Sequence, residues 1–272
     1  MQRGVSLLKT RLISAAVMLA IVAACMPFAV TRVLFFAVAG GICAYEFSRN
    51  VEKLDARCTL WVMFVYLAAH ALLCYFDTGL FSSSACFVFC IYLALFSGVL
   101  HSRVSGRGAL YTLAGLTYPC VLFAILMDIA LSPIWWQTLV MGCVSSWLCD
   151  TAALVGGTRY GKHKLAPLVS PHKTVEGALF GAASSVLSAL LCWLLFRAFS
   201  PIPFWLCLLT AFLASSAGQI GDLAESLLKR MIGVKDFSNL IPGHGGLFDR
   251  ADALLFAIPT AYFCFLLAGV GS

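Results

Sequence analysis

The chain has 272 residues, 61% of them hydrophobic and only 11% charged, with a formal net charge of +6. Soluble domains carry roughly 25% charged residues, so the composition excludes an ordinary soluble fold. The apolar runs are continuous rather than alternating over roughly ten residues, which excludes a membrane β-barrel. The expected fold class is therefore all-α, a polytopic integral membrane helical bundle, because backbone facing lipid must satisfy its own hydrogen bonds.

Apolar windows of about 17–25 residues predict nine transmembrane helices, near 12–30, 33–48, 60–76, 85–100, 109–131, 134–156, 175–198, 204–225 and 252–270. Arg3, Lys9 and Arg11 precede the first window. With further spans following at once, it reads as a transmembrane helix rather than a signal peptide. Placing the N-terminus in the cytoplasm puts sixteen Lys and Arg residues on the inner side and two, Arg32 and Arg197, on the outer. That agrees with the positive-inside rule. Positive charge here speaks to topology, and no nucleic-acid partner is expected. The twelve cysteines are scattered through apolar runs without a CxxC pair, so they are expected to be small apolar filler.

Residues 1–132 carry few ionisable groups and read as scaffold. Residues 133–272 hold the polar chemistry, in or beside two expected cytoplasmic loops, 157–174 and 226–251. The first cluster starts at Asp150, read as the end of an apolar helix. A carboxylate at membrane depth costs roughly 2.5–3.5 kcal/mol on insertion scales, so it calls for a cation, a metal or water. Gly156-Gly157-Thr-Arg159-Tyr-Gly161-Lys162-His163-Lys164 follows. Glycine permits close backbone approach to a ligand and interleaved bases suit phosphate, although such a loop equally suits anionic lipid headgroups. Ser170-Pro171-His172-Lys173-Thr174-Val175-Glu176-Gly177 then opens the next helix, with Thr174 as the expected N-cap.

In the second cluster, Asp222, Glu225, Ser226 and Lys229 stand at i, i+3, i+4 and i+7, one face of a helix, followed by Arg230. The third runs from Lys235-Asp236 through Pro242-Gly243-His244-Gly245-Gly246 to Asp249-Arg250-Ala251-Asp252. It reads as a tight loop with open backbone N–H groups and two acids one turn apart. Few carboxylates, completed by substrate phosphates, are what Mg²⁺ prefers. His244 lacks the companions of a zinc site and is expected to donate to phosphate or loop backbone. Acids, bases and glycines together point to phosphoryl or nucleotidyl transfer, which needs charge neutralisation more than a protein nucleophile. The P-loop pattern is absent.

The stretch Ser226-Leu-Leu-Lys229-Arg230-Met-Ile-Gly-Val-Lys235-Asp236, continuing to Pro242-Gly243-His244-Gly245-Gly246-Leu-Phe-Asp249-Arg250-Ala-Asp252, resembles the signature of phosphatidate cytidylyltransferases, or CDP-diacylglycerol synthases. The likeness extends upstream to Gly221-Asp222, to Ser170-Pro171 with Lys173-Thr174 and Glu176-Gly177, and to Asp150-Thr151. It covers about 141–256. Departures are Ala251, where relatives often carry a bulkier aliphatic residue, Ala253 in place of serine, and His172 where lysine is frequent.

The resemblance implies a homodimeric helical membrane enzyme with a cytosol-facing polar funnel, and a compact chain without a transit-type leader favours a bacterial inner membrane. It implies Mg²⁺ on Asp222 and Asp249, with Glu225, Asp252 and Asp150 completing the shell or holding a second cation such as K⁺. Lys173, Lys229, Arg230, Lys235 and Arg250 would handle the phosphates of CTP and phosphatidate, with His244, Gly245 and Gly246 beside them. Catalysis would rest on Asp222, Asp249, Lys229 and Arg250. The rival readings are a CTP-dependent polyprenol or phytol kinase and, from another class, an ion-coupled transporter.

Overall fold

The computed structural model describes residues 2–76, 79–100 and 106–271. Arg103, counted above among the inner charges, lies outside them, as do the side chains of Arg3 and Lys9. Among the described residues, six helices are long and apolar enough to cross a membrane: Ala29–Leu54, Gly106–Leu131, Trp135–Tyr160, Val175–Phe196, Phe204–Ile232 and Phe248–Leu267. Shorter apolar helices cover Thr10–Cys25, Leu60–Tyr75 and Ser83–Val99. Helix is thus found at all nine apolar windows, and the chain is an all-α membrane protein but for one small hairpin.

The chain forms two compact units, Met1–Leu131 with Ile232–Arg250, and Ser132–Met231 with Ala251–Ser272. In the first unit, helix α1 spans Gln2–Cys25 and α2 spans Ala29–Val51. The break falls at Pro27, which lacks the N–H that a helix interior needs. Arg32 was expected in a turn on the outer side. It instead lies inside α2, buried, and its guanidinium donates to Met26 O and Ala130 O at 2.9 Å each. These carbonyls stand at helix ends, where no intrahelical donor remains, so the charge is used within the protein. Helices α3 (Leu60–Tyr75), α4 (Gly79–Leu100), α5 (Gly106–Gly115) and α6 (Val121–Leu131) complete the bundle, with α2 packed against both α3 and α6. A π-helical turn, Leu116–Cys120, joins α5 to α6 around Pro119.

In the second unit, α7 (Trp135–Tyr160) packs against α8 (Val175–Ala183), α9 (Ser185–Phe196) and α12 (Leu254–Leu267). Its apolar core gathers Met141, Phe196, Leu206 and Phe265. Two expected boundaries move. Helix α7 runs ten residues past Asp150, so Asp150 does not end it, and Gly157, expected to open the loop, is helix. The glycines serve packing: a Cβ on Gly156 would meet Phe180 at 2.4 Å, and one on Gly177 would meet the Ala153 carbonyl at 2.8 Å. Helix α10 likewise continues from Phe204 to Ile232, shortening the second expected loop.

The remaining departure from all-α is an antiparallel hairpin, β1 (Lys164–Ala166) with β2 (Ser170–Thr174), pairing Lys164 with Thr174 and Ala166 with Ser170. Its base is held by Glu176, whose carboxylate accepts from Lys162 N (3.0 Å), His163 N (3.2 Å) and the His163 ring (2.6 Å). Thr174 caps α8 as expected, accepting from Gly177 N at 3.1 Å.

Candidate functional site

The second unit contains a cleft of about 590 Å³ lined by Asp150, Lys164, His172, Lys173, Gln219 and Asp222, among others. Each side chain arrives for a local reason. Asp150 projects from the middle of α7 and is exposed, so the cleft relieves the cost of a carboxylate on an apolar helix. Lys164 and Lys173 come from the two strands of the hairpin, held beside α8 by the Glu176 clasp. Asp222 comes from α10, half-buried, and forms an ion pair with Lys173. Gln219, one turn earlier on α10, donates to Ala178 O at 3.3 Å and fixes α8 against α10.

Asp252 belongs to the same neighbourhood. A Cβ on Gly221 would meet the Asp252 carbonyl oxygen at 2.6 Å, so glycine lets α10 lie directly against the start of the last span. The carboxylates of Asp150, Asp222 and Asp252 lie within electrostatic reach of one another. Lys173 is ion-paired with Asp222, and Lys229 acts electrostatically on Asp252. Three carboxylates gathered beside a cleft form an all-oxygen donor set that fits a hard divalent ion.

Farther along α10, Glu225 is fully buried and pairs with Lys229 one turn later. Arg230 donates from Nε to Val169 O at 3.1 Å, tying the hairpin turn to the end of α10. Asp150, Lys173, Asp222, Glu225, Lys229, Arg230 and Asp252 thus fall in one unit, where Lys173 pairs with Asp222, Glu225 with Lys229 and Arg230 with Val169 O.

Asp249, Lys235, Arg250 and the His244-Gly245-Gly246 run belong to the first unit. The tight loop is present, with Gly243 at φ +77° and Gly245 at φ +86°, conformations that disfavour any side chain. Its amides are not open, however. Ile241 N donates to Gly245 O (2.8 Å), and Gly245 N donates back to Ile241 O (3.1 Å). The Asp249 carboxylate is buried and accepts from Phe237 N and Gly246 N, both at 2.9 Å. The His244 ring lies 2.9 Å from the Ser14 hydroxyl of α1. Lys235 and Arg250 are exposed.

One residue escaped sequence reading altogether. Glu46, on α2 and 3% exposed, accepts from Ser238 Oγ (2.5 Å), Leu247 N (3.0 Å) and Phe248 N (2.9 Å). It holds the amides that open the short helix α11 (Phe248–Ala251), where a carboxylate is favoured. One turn on, Asn50 Nδ2 donates to Phe237 O at 2.6 Å, and its Oδ1 accepts from Lys53 at 2.7 Å. A Cβ on Gly246 would sit 2.9 Å from both the Glu46 and the Asp249 oxygens, so glycine is required where two carboxylates converge. The available signal was a Glu and an Asn four residues apart at the polar end of an otherwise apolar helix.

Fold and site together define an all-α membrane protein with a cleft of paired acids and bases. A model of the cytidylyltransferase family matches residues 9–268. The chain belongs to the cytidylyltransferase family. It is similar to proteins named phosphatidate cytidylyltransferase from Staphylococcus saprophyticus (46% identical over 113 residues, 42% of this chain and 43% of the relative) and Bacillus subtilis (46% over 126 residues, 46% of each). The counterpart from Staphylococcus haemolyticus is 44% identical over 113 residues. Each match spans less than half the length of the relative.

Proposed function

We propose that this protein transfers CMP from CTP to phosphatidate, giving CDP-diacylglycerol and pyrophosphate. The observation that carries the reading is the cleft in which Asp150, Asp222 and Lys173 stand together, in a chain of the cytidylyltransferase family. A phosphatidate oxygen attacks the α-phosphorus of CTP, and the bond to the β-phosphate oxygen breaks. A phosphate monoester is mostly dianionic near pH 7, its second pKa being about 6, so no strong general base is needed. The barrier is repulsion between anions, which fixed positive charge lowers.

Lys173 and Lys164 are positioned to hold nucleotide phosphates, with His172 beside them and Lys229, Arg230, Lys235 and Arg250 as further anion contacts. Asp222, with Asp150 and Asp252, would hold Mg²⁺, which neutralises charge on the phosphate oxygens when bound. The family resemblance adds Asp249 as a metal ligand, Glu225 to the metal shell, His244, Gly245 and Gly246 as phosphate contacts, and K⁺ as a second cation. For the lipid, the first unit offers a cavity of about 710 Å³ lined by Val38, Ile42, Phe64 and Leu240, with Arg49 and Lys53 also in its wall. Apolar side chains beside two cations suit an anionic lipid. Nine spans, a cytoplasmic N-terminus, a site facing the cytoplasm of a bacterial inner membrane, and a homodimer complete the proposal. The sixteen-to-two division of Lys and Arg supports the orientation.

The test is incubation of the purified chain with phosphatidate, Mg²⁺ and CTP labelled at either the α- or the γ-phosphorus. Label entering lipid from the α-position, with pyrophosphate released, is expected. Label entering from the γ-position would make the protein a lipid kinase, and no labelled lipid from either would refute both.

A further inference from the structure

We propose that His70, Cys74 and Asp128 form a binding site for one Zn²⁺ ion in the first unit. His70 and Cys74 are one turn apart on α3, and so share a helix face. Asp128 comes from α6, which packs on α3. A ligand atom from each of the three lies within 4.8 Å of the others. His70 Nε2 and Asp128 Oδ1 are 3.1 Å apart. Two ligands on one tetrahedral zinc, each bonded at about 2.0–2.1 Å, stand at nearly this separation.

A second observation concerns the imidazole itself. His70 is 3% exposed, and its Nδ1 is buried with no hydrogen-bond partner among the described residues. A purely structural His–Asp pair would be expected to satisfy both ring nitrogens, since a buried polar atom left unpaired costs about 1–3 kcal/mol. In the metal-free pair the Asp128 carboxylate accepts from Nε2–H, so a metal bound at Nε2 takes the place of that proton, which moves to Nδ1. Cys74 Sγ donates to the Ala71 carbonyl at 3.4 Å. That carbonyl belongs to its own helix turn, and the contact is weak.

The donor set selects the ion. Imidazole nitrogen, thiolate and carboxylate suit zinc, whereas Mg²⁺ and Ca²⁺ prefer oxygen alone. One thiolate and one carboxylate neutralise a dication, which matters where solvation is poor. Binding releases the Cys74 thiol proton to solvent as the metal–sulfur bond forms. The Asp128 side chain is 46% exposed, giving the ion a route in and leaving a fourth position for water. The ion would tie α3 to α6. Cys74 is then a ligand, not the apolar filler that its place in the sequence suggests.

The test uses the full chain purified in detergent, stripped with chelator, re-equilibrated with micromolar Zn²⁺ and washed, with metal per chain measured by elemental mass spectrometry. Retention of about one zinc per chain is expected. Co²⁺ substitution should add a thiolate-to-metal absorption band that Cys74→Ser abolishes. Asp128→Asn should weaken zinc affinity at least about tenfold. Asp128 is exposed, so that variant gives an answer even if His70→Gln or Cys74→Ser disturbs folding. Cys58→Ser, outside the cluster, should bind zinc like the parent chain. No retained zinc, zinc retained equally by Asp128→Asn, or equal loss in Cys58→Ser would each overturn the site.

Discussion

Glu46 and Asp249 of the first unit and the acids of the second unit's cleft are treated in opposite ways. In the first, Glu46 and Asp249 are buried and each is surrounded by amide or hydroxyl donors. Those charges are consumed in shaping the loop from Ile241 to Phe248. In the second, Asp150, Asp222 and Asp252 line or adjoin an open cleft, where Lys173 is ion-paired with Asp222. A buried carboxylate saturated with backbone N–H groups organises structure. Partly exposed carboxylates crowded together retain an attraction for ions. Residue type alone does not separate the two cases; hydrogen-bond partners do.

The largest expected effect tests the second unit. Asp222→Asn should lower CDP-lipid formation by about 10²–10³-fold or more, while the melting temperature in detergent stays close to the parent value. Asp249 is the sharper comparison, because asparagine keeps an acceptor for Phe237 N and Gly246 N but loses the charge. Asp249→Asn with full melting temperature and lost turnover would make Asp249 a ligand as well as a clamp. Near-normal turnover in that variant would leave it a clamp alone.

Glu46→Ala should act through folding, stranding the buried Phe248 amide, the part-buried Leu247 amide and a hydroxyl. A loss of about 3 kcal/mol or more is expected, read as a fall in melting temperature, with Glu46→Gln milder because its carbonyl still accepts. If Glu46→Ala melted like the parent chain, the contrast drawn between the units would fail. Gly156→Ala should cost about 1–3 kcal/mol by driving a methyl into Phe180. Thr174→Ala should cost about 1 kcal/mol through the lost cap. Both are read by thermal melting, and the second should leave the Lys173–Asp222 pair able to support turnover.

Much of this was legible before any coordinates. Lipid-length apolar runs announce helices because a membrane leaves the backbone few alternatives. Thr174 announces a cap, since its side chain competes for orphan amides. The loop at Gly243 and Gly245 follows from the positive φ that other residues avoid. Gly156-Gly157 was misleading because glycine permits both a phosphate-binding loop and close helix packing, and only the position of Phe180 distinguishes them. The hairpin was hidden for a related reason: three- and five-residue strands carry too little periodicity to register. Glu46 was hidden because its meaning depends on partners about 190–200 positions away.

Glu46 and Asn50 also bear on how this protein can be taken apart. The loop that carries the family signature is tethered by side chains donated from the second helix of the chain. A chimera that grafts residues 133–272 onto a foreign set of N-terminal helices would inherit the signature without its anchor. Transplanting the α2 stretch from Glu46 to Lys53 along with it would restore the native hold.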